Sequence, residues 1–355
     1  MKNIALVAGA SGIAGSNLSK ELIAQGWTVY GLSRRGNSSI QGVHSIQADL
    51  LNPDNLEQAL QNITPTHVFF TTWMRGNSEE ENIALNSATV RNLLNVLSHK
   101  KSVQHVGLVT GLKHYLGPFE AYTTSGTLPE TPVREEHPRL SYPNFYYAQE
   151  DEVYAAAARD GFTWSVHRPH TLIGNTVGNL MNMGVTLAVY ATLCKEEQLP
   201  FVFPGSEAQW NGLSDVTDAR LLAKQIVWAA TTPEAHNEAF NIANGDVFRW
   251  KWLWQQIADR FGIEAQGYDQ TIRPLEKTMQ GKEAAWQRIA NQYGLQEENL
   301  FTLSSPWHTD LDLSRPIEVM TDMTKSRNLG FTDYKATRDS FFELFDELKA
   351  DKIIP

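Results

Sequence analysis

Ile4-Ala5-Leu6-Val7-Ala8-Gly9-Ala10-Ser11-Gly12-Ile13-Ala14-Gly15 stands at the start of the chain and decides its fold class. Ile4–Val7 reads as a strand, and the run from Ala14 to Gln25 reads as a helix. Three glycines join them at the spacing G-x-x-G-x-x-G. In such a turn Gly9 permits the sharp reversal and Gly12 lets the backbone approach a pyrophosphate. Gly15 allows the helix to pack closely on the strand, and the helix N-terminus favours an anion. Ser11 and Ile13 lie within the same loop. A plain strand–helix turn can also be rich in glycine, so the pattern draws its meaning from this strand-to-helix setting.

Outward from that turn, short β-branched runs alternate with longer amphipathic ones. Strands are expected at Thr28–Leu32, Gly42–Ile46, His67–Phe70, Val106–Val109 and Trp164–His167, and helices at Pro53–Gln61, Glu79–His99 and Phe145–Arg159. The alternation predicts an α/β fold, a Rossmann-type doubly wound parallel sheet. After about Thr171 the pattern becomes more helical and richer in tryptophan. Residues 1–170 are therefore read as the cofactor-binding domain and 171–355 as a smaller, mostly helical substrate-binding cap. Elements within about 214–245, such as Ala239–Ile242, are expected to return to the sheet.

The choice of dinucleotide turns on the end of the second strand. An NAD site usually offers an acid there, whereas this chain offers Ser33-Arg34-Arg35. Two guanidiniums suit a 2′-phosphate through charge-assisted contacts, so NADP is expected; the alternative is a pair of solvated surface arginines. Asp49-Leu50 fits an adenine contact, or a turn ahead of Asn52-Pro53. Thr71-Thr72-Trp73 ends the fourth strand and is expected along the cofactor, with Trp73 either a pocket wall or a core aromatic. Thr110-Gly111 follows the fifth strand. Pro169, Thr171 and Ile173 follow the sixth, where backbone groups are expected at the nicotinamide carboxamide.

Composition narrows the functional classes. The 355 residues are 42% hydrophobic and 20% charged, with a net charge of −10. An acidic chain argues against nucleic acid or an anionic membrane as a bulk partner. No apolar run approaches ~18 residues, so no membrane span is expected. The single cysteine, Cys194, permits no internal disulfide and reads as a core residue. The expected setting is cytoplasmic, with a homodimer left open. His167-x-x-His170 lacks a clustered third ligand, so no metal site is expected.

The chemistry centres on Asn144-Phe145-Tyr146-Tyr147-Ala148-Gln149-Glu150-Asp151. Tyrosine-dependent dehydrogenases carry Tyr-x-x-x-Lys, whose side chains share one helical face. Here Glu150 and Asp151 stand four residues beyond Tyr146 and Tyr147. They read as first-turn helix acids, with Glu150 also an optional partner for a lysine. A cation is available elsewhere, at Lys113 in Thr110-Gly111-Leu112-Lys113-His114-Tyr115. That segment lies at the carboxyl end of a strand, where such sheets gather their ligands. Adjacent residues on a helix point ~100° apart, so one tyrosine of the pair faces the site, and periodicity does not say which.

At these motifs the chain resembles the progesterone 5β-reductase/iridoid synthase-like enoyl reductases, a branch of the extended short-chain dehydrogenases. The resemblance is carried by Gly9–Gly15, Ser33-Arg34-Arg35, Thr66–Phe69, Thr110–Glu120 (TGLKHYLGPFE), Asn144–Asp151 (NFYYAQED), Thr163–Pro169 (TWSVHRP) and Asn237–Trp252 (NEAFNIANGDVFRWKW). It implies NADPH-dependent 1,4-reduction of the C=C bond of an enone, with Tyr146 and Lys113 as the catalytic pair. Tyr146 would stabilise the enolate, and Lys113 would contact Tyr146 or hold the nicotinamide ribose. Trp73, Tyr115, Met181 and Trp307 are the pocket candidates. Trp307 lies where the resemblance implies a lid; Met181 stands beside a run that also reads as helix core. Two rival readings accompany this one. One is a sugar-nucleotide epimerase or dehydratase, and the other is a non-catalytic NADP-sensing regulator.

Overall fold

The computed structural model describes residues 3–36, 40–117, 129–179 and 181–355. Among these, seven parallel strands form one sheet: β1 (Ile4–Ala8), β2 (Thr28–Ser33), β3 (Val43–Gln47), β4 (His67–Phe70), β5 (His105–Val109), β6 (Thr163–Pro169) and, far along the chain, β10 (Glu238–Ile242). Two short parallel pairs account for the intervening numbers: β7 (Leu172–Ile173) with β9 (Thr217–Asp218), and β8 (Phe201–Val202) with β11 (Ala265–Gln266). The order across the sheet is β10-β6-β5-β4-β1-β2-β3. The chain thus winds one way from β1 to β3 and the other way from β4 onward. A crevice opens where the direction reverses, at the carboxyl ends of β1 and β4. The expected strands all form, and the segment expected to return does so as β10, with Ala239 opposite Val166.

Helices cover both faces. On one, α2 (Pro53–Leu60), α3 (Glu79–Ser98) and the helix we call α5 (Phe145–Asp160) bury Leu56, Val90, Leu94, Val153 and Ala156 against Leu6, Val68, Phe70 and Leu108. On the other, α1 (Ile13–Ala24) and the helix Ala219–Thr231 pack Leu18, Leu22, Leu222 and Ile226 against Ala5, Val7, Val29 and Phe69. Between α3 and α5 lies α4 (Lys113–Leu116), a single turn at the end of β5. Burial on both faces explains why β4, His67-Val68-Phe69-Phe70, shows no polar alternation.

A third core lies wholly in the second half of the chain, where Trp250, Trp254 and Trp286 are fully buried with Phe201, Phe341 and Phe345. Each such ring removes about 150–250 Å² from water, roughly 4–6 kcal/mol at ~25 cal/mol per Å². These three tryptophans, with Trp210 packed against the same core, account for part of the tryptophan enrichment read from the sequence; Trp252 is exposed. Cys194 belongs to the same core, 2% exposed, where burial pushes its thiol up to about 12. Among the described residues, no helix is long and apolar enough to cross a membrane.

Candidate active site

The glycine loop forms a cradle for an anion. Gly9 has φ +90° and Gly12 donates its N–H to the Gly9 carbonyl at 2.9 Å. α1 then starts at Ile13 with no side-chain cap, so its first N–H groups face outward unoccupied by a neighbouring side chain. A Cβ on Gly15 would stand 2.2 Å from the Gly9 carbonyl oxygen, so only glycine lets the helix seat here. Ser11 is exposed at the tip of the loop. Thr71 donates its hydroxyl to the Ala8 carbonyl at 2.9 Å, and Thr72 packs on Gly9. Both threonines therefore brace the loop.

At the neighbouring strand end, Ser33 accepts a hydrogen bond from the Gly36 N–H at 3.2 Å. Arg34 and Arg35 are exposed, and neither side chain has an ion-pair or hydrogen-bond partner among the described residues. Two guanidiniums free of any carboxylate fit the 2′-phosphate of NADP, and the bare helix N-terminus fits its pyrophosphate. Asp49 makes a turn, accepting from the Leu51 N–H at 2.9 Å ahead of the Asn52 cap of α2. Leu50, expected at the cofactor, is 4% exposed in the core. Ile173 likewise is 1% exposed, its side chain in the core of the second half.

The opposite end of the crevice separates the two tyrosines. α5 begins cleanly because Asn144 accepts from the Tyr146 N–H at 3.0 Å, and it ends at Gly161, φ +79°. Tyr147 is locked: its hydroxyl donates to the His114 carbonyl, accepts from the Leu140 N–H at 3.0 Å, and its ring lies 4.8 Å from the Arg139 guanidinium. The Tyr146 hydroxyl has no hydrogen-bond partner among the described residues. It stands over Gly111, where a Cβ would be 3.3 Å from that oxygen and 3.5 Å from the Pro169 carbonyl oxygen. It therefore sits where the ends of β5 and β6 meet. Burial, aided by the negative charge of Glu79, pushes the Tyr146 pKa up, so the phenol stays protonated.

Lys113 reaches the head of α5, at Phe145, and its partner is one the sequence did not indicate. Its ammonium lies 2.6 Å from Glu79 Oε2 and 4.7 Å from the centre of the Phe145 ring. The other Glu79 oxygen accepts from the Phe145 N–H at 2.8 Å, and Asn144 Nδ2 donates to the Lys113 carbonyl at 3.0 Å. Lys113 is hydrogen-bonded to neither Tyr146 nor Glu150. Trp73 stacks on Phe145 at 5.3 Å, and Phe145 meets Tyr146 at 4.3 Å. Trp73 is thus part of an aromatic row that runs through the buried Phe145 to the Tyr146 ring.

Glu150, read as a first-turn acid, is a buried ion-pair hub one turn further on. At 1% exposure it meets Arg139 at 2.9 Å, Arg168 at 3.1 Å and His114 Nδ1 at 3.4 Å. Burial opposes its charge, but His114, Arg168 and Arg139 outweigh burial and hold the carboxyl at about 2. Arg168 also donates to Tyr115 Oη at 2.9 Å, and Tyr115 donates to Asn241 Oδ1 at 2.7 Å. Tyr115, expected in the substrate pocket, is 4% exposed with its hydroxyl committed, and belongs to this internal network. Pro118–Glu120 of the TGLKHYLGPFE motif lie outside the described residues.

The second half of the chain is tied to the same end of the sheet. Trp307 is half-buried under the Arg75 guanidinium, 4.3 Å from its ring centre. The helix Pro306–Leu313 that carries it is tied to the end of β6, because Asp312 accepts from the Thr171 hydroxyl at 2.7 Å. Arg315 joins Asp312 to His170, and His170 Nδ1 lies 2.7 Å from Asp215. His167 turns elsewhere, to Gln225 and Ser165, so the two histidines of the His-x-x-His spacing serve separate networks. Met181 is half-buried and precedes the helix Met183–Glu196; it is Met183, 1% exposed, that enters the core.

Residues 39–355 match the family model described as a PRISE-like Rossmann-fold domain. A 3-oxo-Delta(4,5)-steroid 5-beta-reductase of Arabidopsis thaliana is 38% identical to this chain, over 100% of it and 94% of that protein. An (S)-8-oxocitronellyl enol synthase of Camptotheca acuminata is also 38% identical, with the same coverage. Among solved structures, the UDP-glucose 4-epimerase of Thermotoga maritima is similar with a TM-score of 0.68 over 98% of this chain and 99% of that one. At 12% identity that likeness is one of fold. With a free tyrosine over the end of the sheet, a displaced lysine, and similarity along the whole length to these reductases and synthases, the chain belongs to the PRISE-like Rossmann-fold family.

Proposed function

We propose that this protein is an NADPH-dependent enone reductase that saturates a C=C bond conjugated to a carbonyl, on steroid-like or smaller activated enones. One observation carries the reading: the protonated Tyr146 hydroxyl, without a hydrogen-bond partner among the described residues, stands over Gly111, where the ends of β5 and β6 meet. When bound, the nicotinamide supplies hydride to the β-carbon of the enone. Gly9–Gly15 and the N-terminus of α1 hold the pyrophosphate, and Arg34 and Arg35 hold the 2′-phosphate.

As negative charge grows on the substrate carbonyl oxygen, Tyr146 stabilises it with a hydrogen bond aimed where the charge develops. Such a donor is worth about 2.7–4 kcal/mol, or roughly 10²–10³ in rate. The phenol keeps its proton throughout, because burial and Glu79 hold its pKa up; the α-carbon takes its proton from solvent. Lys113 adds positive charge at the head of α5. Trp73, Phe145 and Trp307 shield the reacting end from water. A single cysteine, buried in the core as a free thiol, fits a cytosolic enzyme. A tyrosine–lysine epimerase mechanism is disfavoured, because the position one turn after Tyr146 holds a buried carboxylate already engaged with two arginines.

The test offers the protein NADPH or NADH with a small cyclic enone, a steroid enone and a nucleotide sugar, follows cofactor oxidation and identifies products by mass spectrometry. A saturated ketone formed preferentially with NADPH is expected. Conversion of the nucleotide sugar, or tight NADP binding with no enone turned over, overturns the proposal.

A further inference from the structure

We propose that Glu79 is a positioning residue of this site, which holds the Lys113 ammonium at the head of α5, against Phe145, the neighbour of Tyr146. The inference rests on the enone-reductase reading given above.

Three acids fill the first turn of α3, and the structure separates their tasks. Glu81 folds back to accept from the Asn77 N–H at 2.7 Å and side-chain amide at 3.0 Å, and Ser78 caps the helix by accepting from the Glu81 N–H. That reciprocal pair satisfies the helix end. Glu80 is exposed. Glu79 is the acid the helix end does not need: within α3 its Oε2 accepts from Asn82 Nδ2 at 3.4 Å, and both oxygens reach beyond the helix. One oxygen meets Lys113 Nζ at 2.6 Å and the other accepts from the Phe145 N–H at 2.8 Å. A single carboxylate thus ties α3 to α4 and to the helix that carries Tyr146.

Lys113 needs such a tie. It starts a four-residue helix, and its side chain is about a quarter exposed, with 24% of its surface open to solvent. A free lysine side chain carries much rotamer entropy. A cation–π contact with Phe145 at a partly exposed site is too weak to fix it alone. The backbone end is pinned by Asn144 Nδ2 on the Lys113 carbonyl. The ammonium end is pinned by Glu79, its only ion-pair partner among the described residues. Glu150, the other acid near the tyrosines, is committed to Arg139 and Arg168.

The test uses Glu79→Gln, which keeps an oxygen for the Phe145 N–H and removes the charge, and Glu79→Asp, which keeps the charge and shortens the reach. In the free protein, acylation of lysines is read residue by residue by mass spectrometry. Lys113 is expected to react several-fold faster in Glu79→Gln, with intermediate behaviour in Glu79→Asp and the other lysines unchanged. With NADPH and enone, Glu79→Gln is expected to lose roughly 10- to 100-fold in kcat, the scale of a misplaced group, at unchanged melting temperature. Added to Lys113→Ala, it should cost nothing further. Unaltered Lys113 reactivity in Glu79→Gln, or losses that multiply in the double variant, overturns the inference. If the wild type reduces no enone, the reading of function falls, while the acylation experiment still decides the role of Glu79.

Discussion

Tyr147 donates its hydroxyl hydrogen to the carbonyl of His114 at 2.5 Å, and that bond removes one of two adjacent phenols from chemistry. The variants Tyr146→Phe and Tyr147→Phe should therefore fail in opposite ways. Tyr146→Phe is expected to lose about 10²–10³ in kcat and to melt within a degree or two of wild type, since its hydroxyl bonds to no described residue. Tyr147→Phe leaves the Leu140 N–H and the His114 carbonyl without their partner, at a cost of about 1–3 kcal/mol, while each folded molecule keeps its activity. Steady-state kinetics beside thermal denaturation separates the two.

Glu150 gives a second expectation. Glu150→Ala leaves Arg168, 5% exposed, as an uncompensated buried charge, and is expected to cost about 3–5 kcal/mol. Glu150→Lys, which rewrites the familiar Tyr-x-x-x-Lys, sets an ammonium against Arg139 and Arg168. It should yield little folded protein rather than a conventional dehydrogenase. Urea unfolding of purified variants, with soluble yield as a first reading, checks both.

Acid stability should fall in two stages. His67 and His167 are held down at about 4 mainly by burial, and His105 lies well below its ordinary value for the same reason. Their unfolded value is about 6.5, so unfolding takes up protons below that pH. The stability they carry is complete above about pH 6.5 and is lost as pH falls towards 4. The Glu150 carboxyl, held at about 2 against about 4.3 unfolded, contributes above about pH 4.3 and is lost as pH falls towards 2. Melting temperature against pH should show both windows. His67→Gln should flatten the first and Glu150→Gln the second.

The cofactor end can be tested without chemistry. Replacing Arg34 and Arg35 together by alanine should weaken NADPH binding about 10- to 100-fold, the worth of one or two hydrogen bonds to a charged group, and leave NADH binding nearly unchanged. Gly15→Ala should weaken both, because its Cβ would meet the Gly9 carbonyl oxygen at 2.2 Å. Fluorescence titration of each variant with each cofactor provides the comparison.

What could be read in advance follows a physical line. Strands and helices were legible because each carries its own signal, such as the β-branched run Ile4–Val7 or the acids Glu79–Glu81 behind Ser78. The glycine loop was legible because its function needs specific backbone freedom within seven residues. The partner of Lys113 was not. Glu79 lies 34 residues away, its local pattern is fully explained by helix capping, and only the adjacency of β4 and β5 brings the two together. Glu150 misled for a related reason. An acid near a helix start looks like a dipole partner, and nothing nearby in sequence announces Arg168 on β6. The choice between Tyr146 and Tyr147 depended on a carbonyl from another segment, that of His114, which no periodicity encodes.

β10 lies beside β6, and the buried surface of β6 is finished only when residues 238–242 arrive. On the ribosome, the first 170 residues emerge with an open sheet edge where Ser165–Pro169 await a neighbour, just below the place of Tyr146. The nascent chain therefore cannot complete its site until two-thirds of the protein has been synthesised. For engineers, the second half is no interchangeable cassette: a chimera joined near residue 170 would exchange, with everything after it, the strand that completes the edge of the main sheet.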